Sequence, residues 1–406
     1  MSPRPKPVIV YLVSEDWYFL SHRLPMAHAA REAGYEVHVA THLNGEGGKI
    51  EAQGFHLHAL DWRRGSFNPL NLLSIVRQVR ALYRHLRPDL VHHVALQPAI
   101  VGSLAALGMP FPQLNALAGL GFGFTSATFK GQAIRPILSA LLRLLLRRPR
   151  AAILVQNPDD HAAMTSLSMA PDRIFTIAGS GVDTDRLRPL PEPAGPFTAG
   201  FVGRLLDDKG LRTLVEAHDL LTRRGEAVRL LIAGDRDPAN PTSIDEREIE
   251  SWKTRPGIDV LGFVEDISKV WARAHIAVLP SRREGLPKSL LEAAACGRAM
   301  VATDVPGCRE IARPGVNALL VPADDPAALV DAIATLARDP QIRQRYAAAG
   351  RELVEQEFSS TQVGRQIVAV YDHLMGRAAQ NRGPIAASGA PRLKKRKFRD
   401  REGPFS

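Results

Sequence analysis

Cysteine is almost missing from this chain: two occur in 406 residues, Cys296 and Cys308. They make neither a metal-ligand spacing nor a redox motif, which excludes a disulfide-stapled scaffold and leaves a reduced, cytoplasmic protein as the expectation. Long apolar runs are also lacking. Nothing approaches the roughly 20 apolar residues of a membrane span, and the opening MSPRPKPVIVYLVS reads as a short buried strand, too brief for a secretory leader. Zinc-finger spacing, an aromatic-rich RNA-binding strand and a helix-turn-helix are absent as well, so no nucleic-acid partner is expected. What remains is 45% hydrophobic and 23% charged residues, the composition of a globular protein long enough for two domains with their own cores.

The net charge of +10 has two identifiable sources. RLKKRKFRDR, residues 392–401, makes the end of the chain basic, and the segment before it is rich in small and polar residues; residues 376–406 are expected to form a disordered basic tail. RPILSALLRLLLRRPR, residues 135–150, intersperses leucines with Arg135, Arg143, Arg147, Arg148 and Arg150. That is the composition of a helix lying on an anionic membrane surface, although a packed helix with a basic outer stripe has the same pattern.

Along the first half, apolar runs (PVIVYLV, YEVHVAT, DLVHHVAL, AAILVQN) alternate with helical stretches such as HRLPMAHAAREAG and NLLSIVRQVRALYRHLRP. The pattern restarts after the proline-rich RPLPEPAGP, with FTAGFVGRL, VRLLIAG, IDVLGFV, HIAVLPS and RAMVATDV as strands. Strands alternating with helices predict parallel sheets covered on both faces. The expected organisation is α/β: a doubly wound domain over 1–187, a linker over 188–196 and a second doubly wound domain over 197–375. Ligands of such sheets bind beyond the carboxyl ends of the strands, so the cleft between the domains is the expected site.

Two stretches carry the chemistry. In FVGRLLDDKG a strand ends at Gly203, Arg204 follows, and Lys209 precedes a helix; two cations at one strand-to-helix turn can converge on a single anionic group such as a diphosphate. Balance by Asp207 and Asp208 on the surface is the plainer reading. In EGLPKSLLEAAACG, Gly285 and Pro287 open a helix in which Leu290, Leu291, Ala294 and Ala295 recur at helical spacing. Glu284 then falls in the loop ahead of the helix and Glu292 in its second turn, close to the unpaired amides of a helix N-terminus that suit phosphate or sugar hydroxyls.

Together with NALLVPADDPAALVDAI, these stretches resemble the retaining GT-B glycosyltransferases of family 4 over the whole second domain. The resemblance implies that Arg204 and Lys209 hold the diphosphate of a nucleotide sugar, that Glu284 touches the donor sugar, and that Glu292 binds the ribose hydroxyls. It extends the donor site to Gly203 and Gly234, to Phe263 and Val264 beside the base, and to the loop Gly285, Leu286, Pro287, Lys288 and Ser289. SEDWYFLSHRLPMAHAAREAG, GLGFGFTS and VQNPDDHAAM in the first domain are similar to a bacterial subgroup that moves N-acetylhexosamines from UDP-sugars to polyprenyl-diphosphate-linked saccharides. Gln97 stands where that subgroup commonly has Lys, and Ala318 where it has Gly.

The resemblance implies transfer with retention, in which the donor phosphate helps to take the acceptor proton, and peripheral attachment to the cytoplasmic face of the inner membrane. It implies no metal and no cofactor beyond the donor, although Asp183–Asp185 and Asp235–Asp237 match a metal-holding pattern of other transferases. His93 is expected against the donor sugar in preference to its neighbour His92, and GLGFGF is expected to form an acceptor-facing loop. A UDP-sugar epimerase of the same fold and a non-catalytic sugar-nucleotide or glycan binder are the alternatives.

Overall fold

The computed structural model describes residues 6–62, 69–117, 129–238 and 240–377. The GLGFGFTS segment and most of the basic tail lie outside the described residues.

A run such as VIVYLVSE, buried along nearly its whole length, fits only the centre of a sheet covered on both faces. It forms β1 (Val8–Glu15), which lies between β2 (Glu36–His42) and β4 (Leu90–Val94) in a parallel sheet of order β3-β2-β1-β4-β5-β6-β7. The remaining strands are β3 (His56–Ala59) and β7 (Ile174–Thr176) at the edges, with β5 (Gln113–Ala116) and β6 (Ala151–Val155) between β4 and β7. Ile9, Tyr11 and Val39 pack on one face, and Val10, Leu12 and Ala40 on the other, the alternation that a pleated strand imposes. Strands β3, β5 and β7 escape the sequence reading because HLHA, QLNA and IFT are short and the first two interrupt apolar residues with polar ones.

The second sheet is also parallel, in the order β10-β9-β8-β11-β12-β13. It consists of β8 (Phe197–Val202), β9 (Val228–Ala233), β10 (Ile258–Gly262), β11 (Ile276–Leu279), β12 (Ala299–Thr303) and β13 (Ala318–Val321). Its core gathers Phe201, Ile232, Trp271 and Leu291. Ala318 is the buried first residue of β13 and not a loop position. The proline-rich passage 188–196 is fastened to this domain: Arg343 grips the Glu192 carboxylate with two hydrogen bonds of 2.7 and 2.8 Å, and Leu190 N–H donates to Cys296 O. The Arg343 guanidinium holds the Glu192 carboxyl below its ordinary range.

The last helix corrects the expected boundary. Ser360–Leu374 falls within 197–375, yet Val363, Ile367, Val368 and Tyr371 belong to the core of the first sheet beside Met26, Ala27 and Ala30. Apolar residues at helical spacing predict the helix but are silent on which of two sheets it covers. The chain leaves the second domain through a π-helical turn, Val354–Phe358, and crosses beside the outgoing strand: Val182 N–H donates to Phe358 O, and Ser360 N–H donates to Val182 O at 2.8 Å. Polar contacts then anchor the helix. Tyr35 Oη–H donates to Asp372 Oδ1, and the hydroxyls of Tyr11 and Tyr371 meet at 2.7 Å, with His92 Nδ1 also on Tyr371.

The helix lies so close to its neighbour, Leu24–Glu32, that a Cβ on Gly364 would come within 2.6 Å of Ala29 Cβ. Gly364→Val should wedge the two helices apart and cost about 1–3 kcal/mol, the usual penalty of overpacking, read as a lower urea midpoint at unchanged slope. An unchanged midpoint would mean that the helix does not close the first core.

Candidate functional site

In each sheet the strand order reverses direction once, between β1 and β4 and between β8 and β11. A ligand of such a sheet fits beyond the carboxyl ends of the strands, at the point where the order reverses. The cleft that results encloses about 1840 Å³ and is lined from both domains.

On the second-domain side, two loops are pressed together. One follows β8 through Gly203, Arg204 and the 3-10 turn Asp207–Lys209; the other follows β11 from Pro280 to the helix Lys288–Ala295. Gly210, at φ 71°, starts the next helix, and a Cβ there would lie 2.0 Å from Pro280 O, so only glycine allows the approach. Arg282 N–H donates to Asp208 O, and Lys209 Nζ reaches Glu284 Oε1 at 2.6 Å, an oxygen that also accepts from Ser281 Oγ at 2.7 Å. Arg204 pairs with Asp237 at 2.5 Å. Gly234, at φ 142°, packs so tightly on Gly203 that a Cβ would sit 1.9 Å from its carbonyl oxygen.

The geometry brings the second-domain residues expected in the donor site to the lining of this one cleft. Glu284 lies four residues ahead of the helix and Glu292 on its second turn. Pro287 holds the N-cap position with no side-chain cap, so the first-turn amides are not occupied by a capping side chain. Phe263, 73% exposed, and Val264 form part of the rim. Glu292 meets Lys288 at 3.4 Å. Burial raises its carboxyl above the ordinary glutamate range, and the Lys288 ammonium pulls it only part of the way back. One aspartate of each D-x-D match has a partner for its side chain in the structure. Asp237 holds Arg204, and Asp183 Oδ1 accepts the backbone N–H groups of Asp185 and Arg186.

His93 does not belong to this group. It is fully buried, donating from Nδ1 to Asn115 Oδ1 at 2.8 Å and accepting at Nε2 from Tyr83 Oη at 3.0 Å, with Gly102 against its ring. Burial pushes its imidazole down to about 4, with the Asn115 bond opposing. It is a packed core histidine, as is His92 on the opposite face of the same strand. Since helices cover both faces of a parallel sheet, neither strand histidine reaches the cleft. His22 does, at the end of the helix Asp16–His22 that follows β1. Its ring stacks on Tyr18 at 4.3 Å, and its Nδ1 is buried with no hydrogen-bond partner among the described residues. Burial, and then the positive charges of Lys288, Arg23, Arg204 and Lys209, keep it well below the ordinary histidine value. His22 lies within the SEDWYFLSHR segment, where no spacing in the sequence marks it as a cleft residue.

Comparison with known proteins finds two families along the chain. Residues 8–157 match a family described as glycosyl transferase 4-like, and residues 196–339 match glycosyl transferases group 1. The N,N'-diacetylbacillosaminyl-diphospho-undecaprenol alpha-1,3-N-acetylgalactosaminyltransferase of Campylobacter jejuni is 25% identical over 379 residues, 88% of this chain and 98% of the relative. The capsular polysaccharide biosynthesis glycosyltransferase CapM of Staphylococcus aureus is 22% identical, over 84% of this chain and 91% of its own. Among solved structures, sucrose-phosphate synthase from Thermosynechococcus elongatus superposes with a TM-score of 0.78 at 20% identity, covering 91% of this chain and 100% of that one. Anabaena HepE in complex with UDP and glucose gives 0.74 at 19% identity, covering 89% and 98%.

The raised Glu292 carboxyl has a consequence for stability. A folded-state pKa above the unfolded one contributes stability at pH below the unfolded value and loses it as pH rises through the folded value. Glu292→Gln should therefore have a higher Tm than the parent at pH 8, with the difference shrinking towards pH 4. A variant less stable at pH 8 would show that the Lys288 pair outweighs burial.

Proposed function

Because the chain belongs to the glycosyltransferases of GT-B fold, a 4-like domain over 8–157 joined to a group 1 domain over 196–339, we propose that it moves a sugar, with retention, from a UDP-sugar to a polyprenyl-diphosphate-linked saccharide in surface polysaccharide or glycan assembly. The observation that carries this reading is the pairing of two cleft cations with carboxylates, Lys209 with Glu284 and Arg204 with Asp237, beside an uncapped helix start. An incoming diphosphate replaces these acids as the partner of Arg204 and Lys209. Glu284 is then released to accept from a sugar hydroxyl, and Glu292, on the second turn of the helix, accepts from the ribose.

As the glycosidic bond breaks, negative charge grows on the departing UDP, and the two cations with the helix amides are preorganised to stabilise it. The donor phosphate takes the acceptor proton on the same face of the sugar. The choice of an N-acetylhexosamine is supported by the Campylobacter relative, which is named for N-acetylgalactosaminyl transfer onto a diphospho-undecaprenol saccharide.

A lipid-linked acceptor requires the enzyme to work at a membrane, and no helix among the described residues is long and apolar enough to cross one. The helix Phe129–Leu146 buries Leu142, Leu145 and Leu146 while exposing Arg143 and Leu144, with Arg147 exposed just beyond its end. That outer face, basic with an apolar residue, supports peripheral attachment to anionic lipid on the cytoplasmic side. A triple exchange of Arg143, Arg147 and Arg148 to Glu should abolish co-sedimentation with anionic liposomes; undiminished sedimentation would remove this helix from the proposal.

Calorimetric titration with UDP, GDP and ADP tests the donor. Selective UDP binding, lost in Glu292→Ala, is the expected result, and a preference for GDP or ADP would overturn the choice of base. With a UDP-N-acetylhexosamine and a polyprenyl-diphosphate acceptor, Arg204→Ala should lower kcat/KM by about 10²–10³, as loss of a preorganised charge partner does. An epimer formed without acceptor would instead establish the isomerase alternative.

A further inference from the structure

The edge of the first sheet holds a cluster that the transfer chemistry does not use. Glu36 and His38 lie two residues apart on β2, and so share one face. His56 sits directly across from His38 on β3. His38 Nε2 is 3.1 Å from Glu36 Oε1, and His56 Nε2 is 3.5 Å from the same oxygen. All three ligand atoms lie within 4.8 Å of one another. None of these residues lines the cleft.

We propose that Glu36, His38 and His56 bind a divalent transition-metal cation of the zinc class, which clips the edge strand β3 to β2. Ligand atoms about 2.0–2.2 Å from a tetrahedral zinc ion stand roughly 3.3–3.5 Å from each other, so the two Nε2-to-carboxylate separations already approach those of a filled site. Two imidazoles and one carboxylate are donors of the type zinc takes, and with three protein ligands a fourth position remains for water.

The surroundings also match what a metal-bound imidazole needs. His38 has 7% of its side chain exposed, and its Nδ1 lies 2.9 Å from His58 Nε2. The cation takes the place of the proton that His38 Nε2 shares with Glu36. His38 then carries its proton on Nδ1 and donates it to His58, which fixes ring orientation as an outer partner does. The His56 and Glu36 side chains, 59% and 40% exposed, give the ion a path from solvent and room for the small rotation that completes the site. Coordination across β2 and β3 ties down an edge whose outer strand is otherwise held from one side only.

The test uses the full chain without a histidine tag, stripped with chelator, dialysed and titrated calorimetrically with ZnCl2 at pH 7.5. One zinc equivalent should bind, raising Tm. His56→Gln, a change at an exposed position, should weaken the binding at least about tenfold, as should Glu36→Gln, whereas His85→Gln should leave it intact. Loaded with Co2+, the parent should show the visible absorption of a four- or five-coordinate site, and His56→Gln should lose it. Zinc binding of equal strength in the parent and His56→Gln, or no stoichiometric binding in the parent, would overturn the proposal. Neither readout involves glycosyl transfer.

Discussion

The reversal of strand order between β8 and β11 is the constraint from which the cleft follows. With these two strands adjacent and parallel, the loops after their carboxyl ends must leave side by side. The approach is close enough that Gly210 cannot carry a side chain against Pro280. That contact sets the distance at which Lys209 meets Glu284, residues 75 positions apart in the chain. The same crowding aligns Asp207 and Asp208 with Arg282 and Arg283 from the neighbouring loop. The four charges flanking the site are therefore paired with each other, and they leave the inner cations to their own acids.

The inner pairs illustrate a general requirement of anion sites. Cations gathered in a partly enclosed cleft repel each other and lose solvation, so anionic partners are needed to hold them together. Lys209 and Glu284 are 22% and 9% exposed, and a pair at this depth is screened less than one on the surface. His22 completes the picture on the facing domain. A neutral ring among several positive charges adds a polar atom without adding to the repulsion.

Most of this was legible from residues whose neighbours in sequence are also their neighbours in space. Gly203 to Lys209 and Glu284 to Glu292 are local strand-to-helix passages, and their spacing already expresses the turn that places them. The histidines were harder. A histidine at the end of a strand and one at the end of a helix differ little as letters, and what separates His93 from His22 is whether a helix covers the position, a tertiary fact. The short strands β3 and β5 escaped for a related reason: four residues with a polar member are held as strands by their neighbours and not by their own pattern. The destination of the Ser360–Leu374 helix depends likewise on the route the chain takes after Phe358.

That route has a bearing on how the protein comes to be made. The core of the first domain includes side chains from residues 363–371, which leave the ribosome only after the entire second domain. At roughly 5–20 residues per second, the nascent first sheet waits on the order of 10–40 s for its covering helix. During that interval the surface around Met26, Ala27 and Ala30 is uncovered. Complete packing of the N-terminal core thus waits on the last residues of the C-terminal half. The second domain, whose core is contributed by residues 182–358, can be complete before the first.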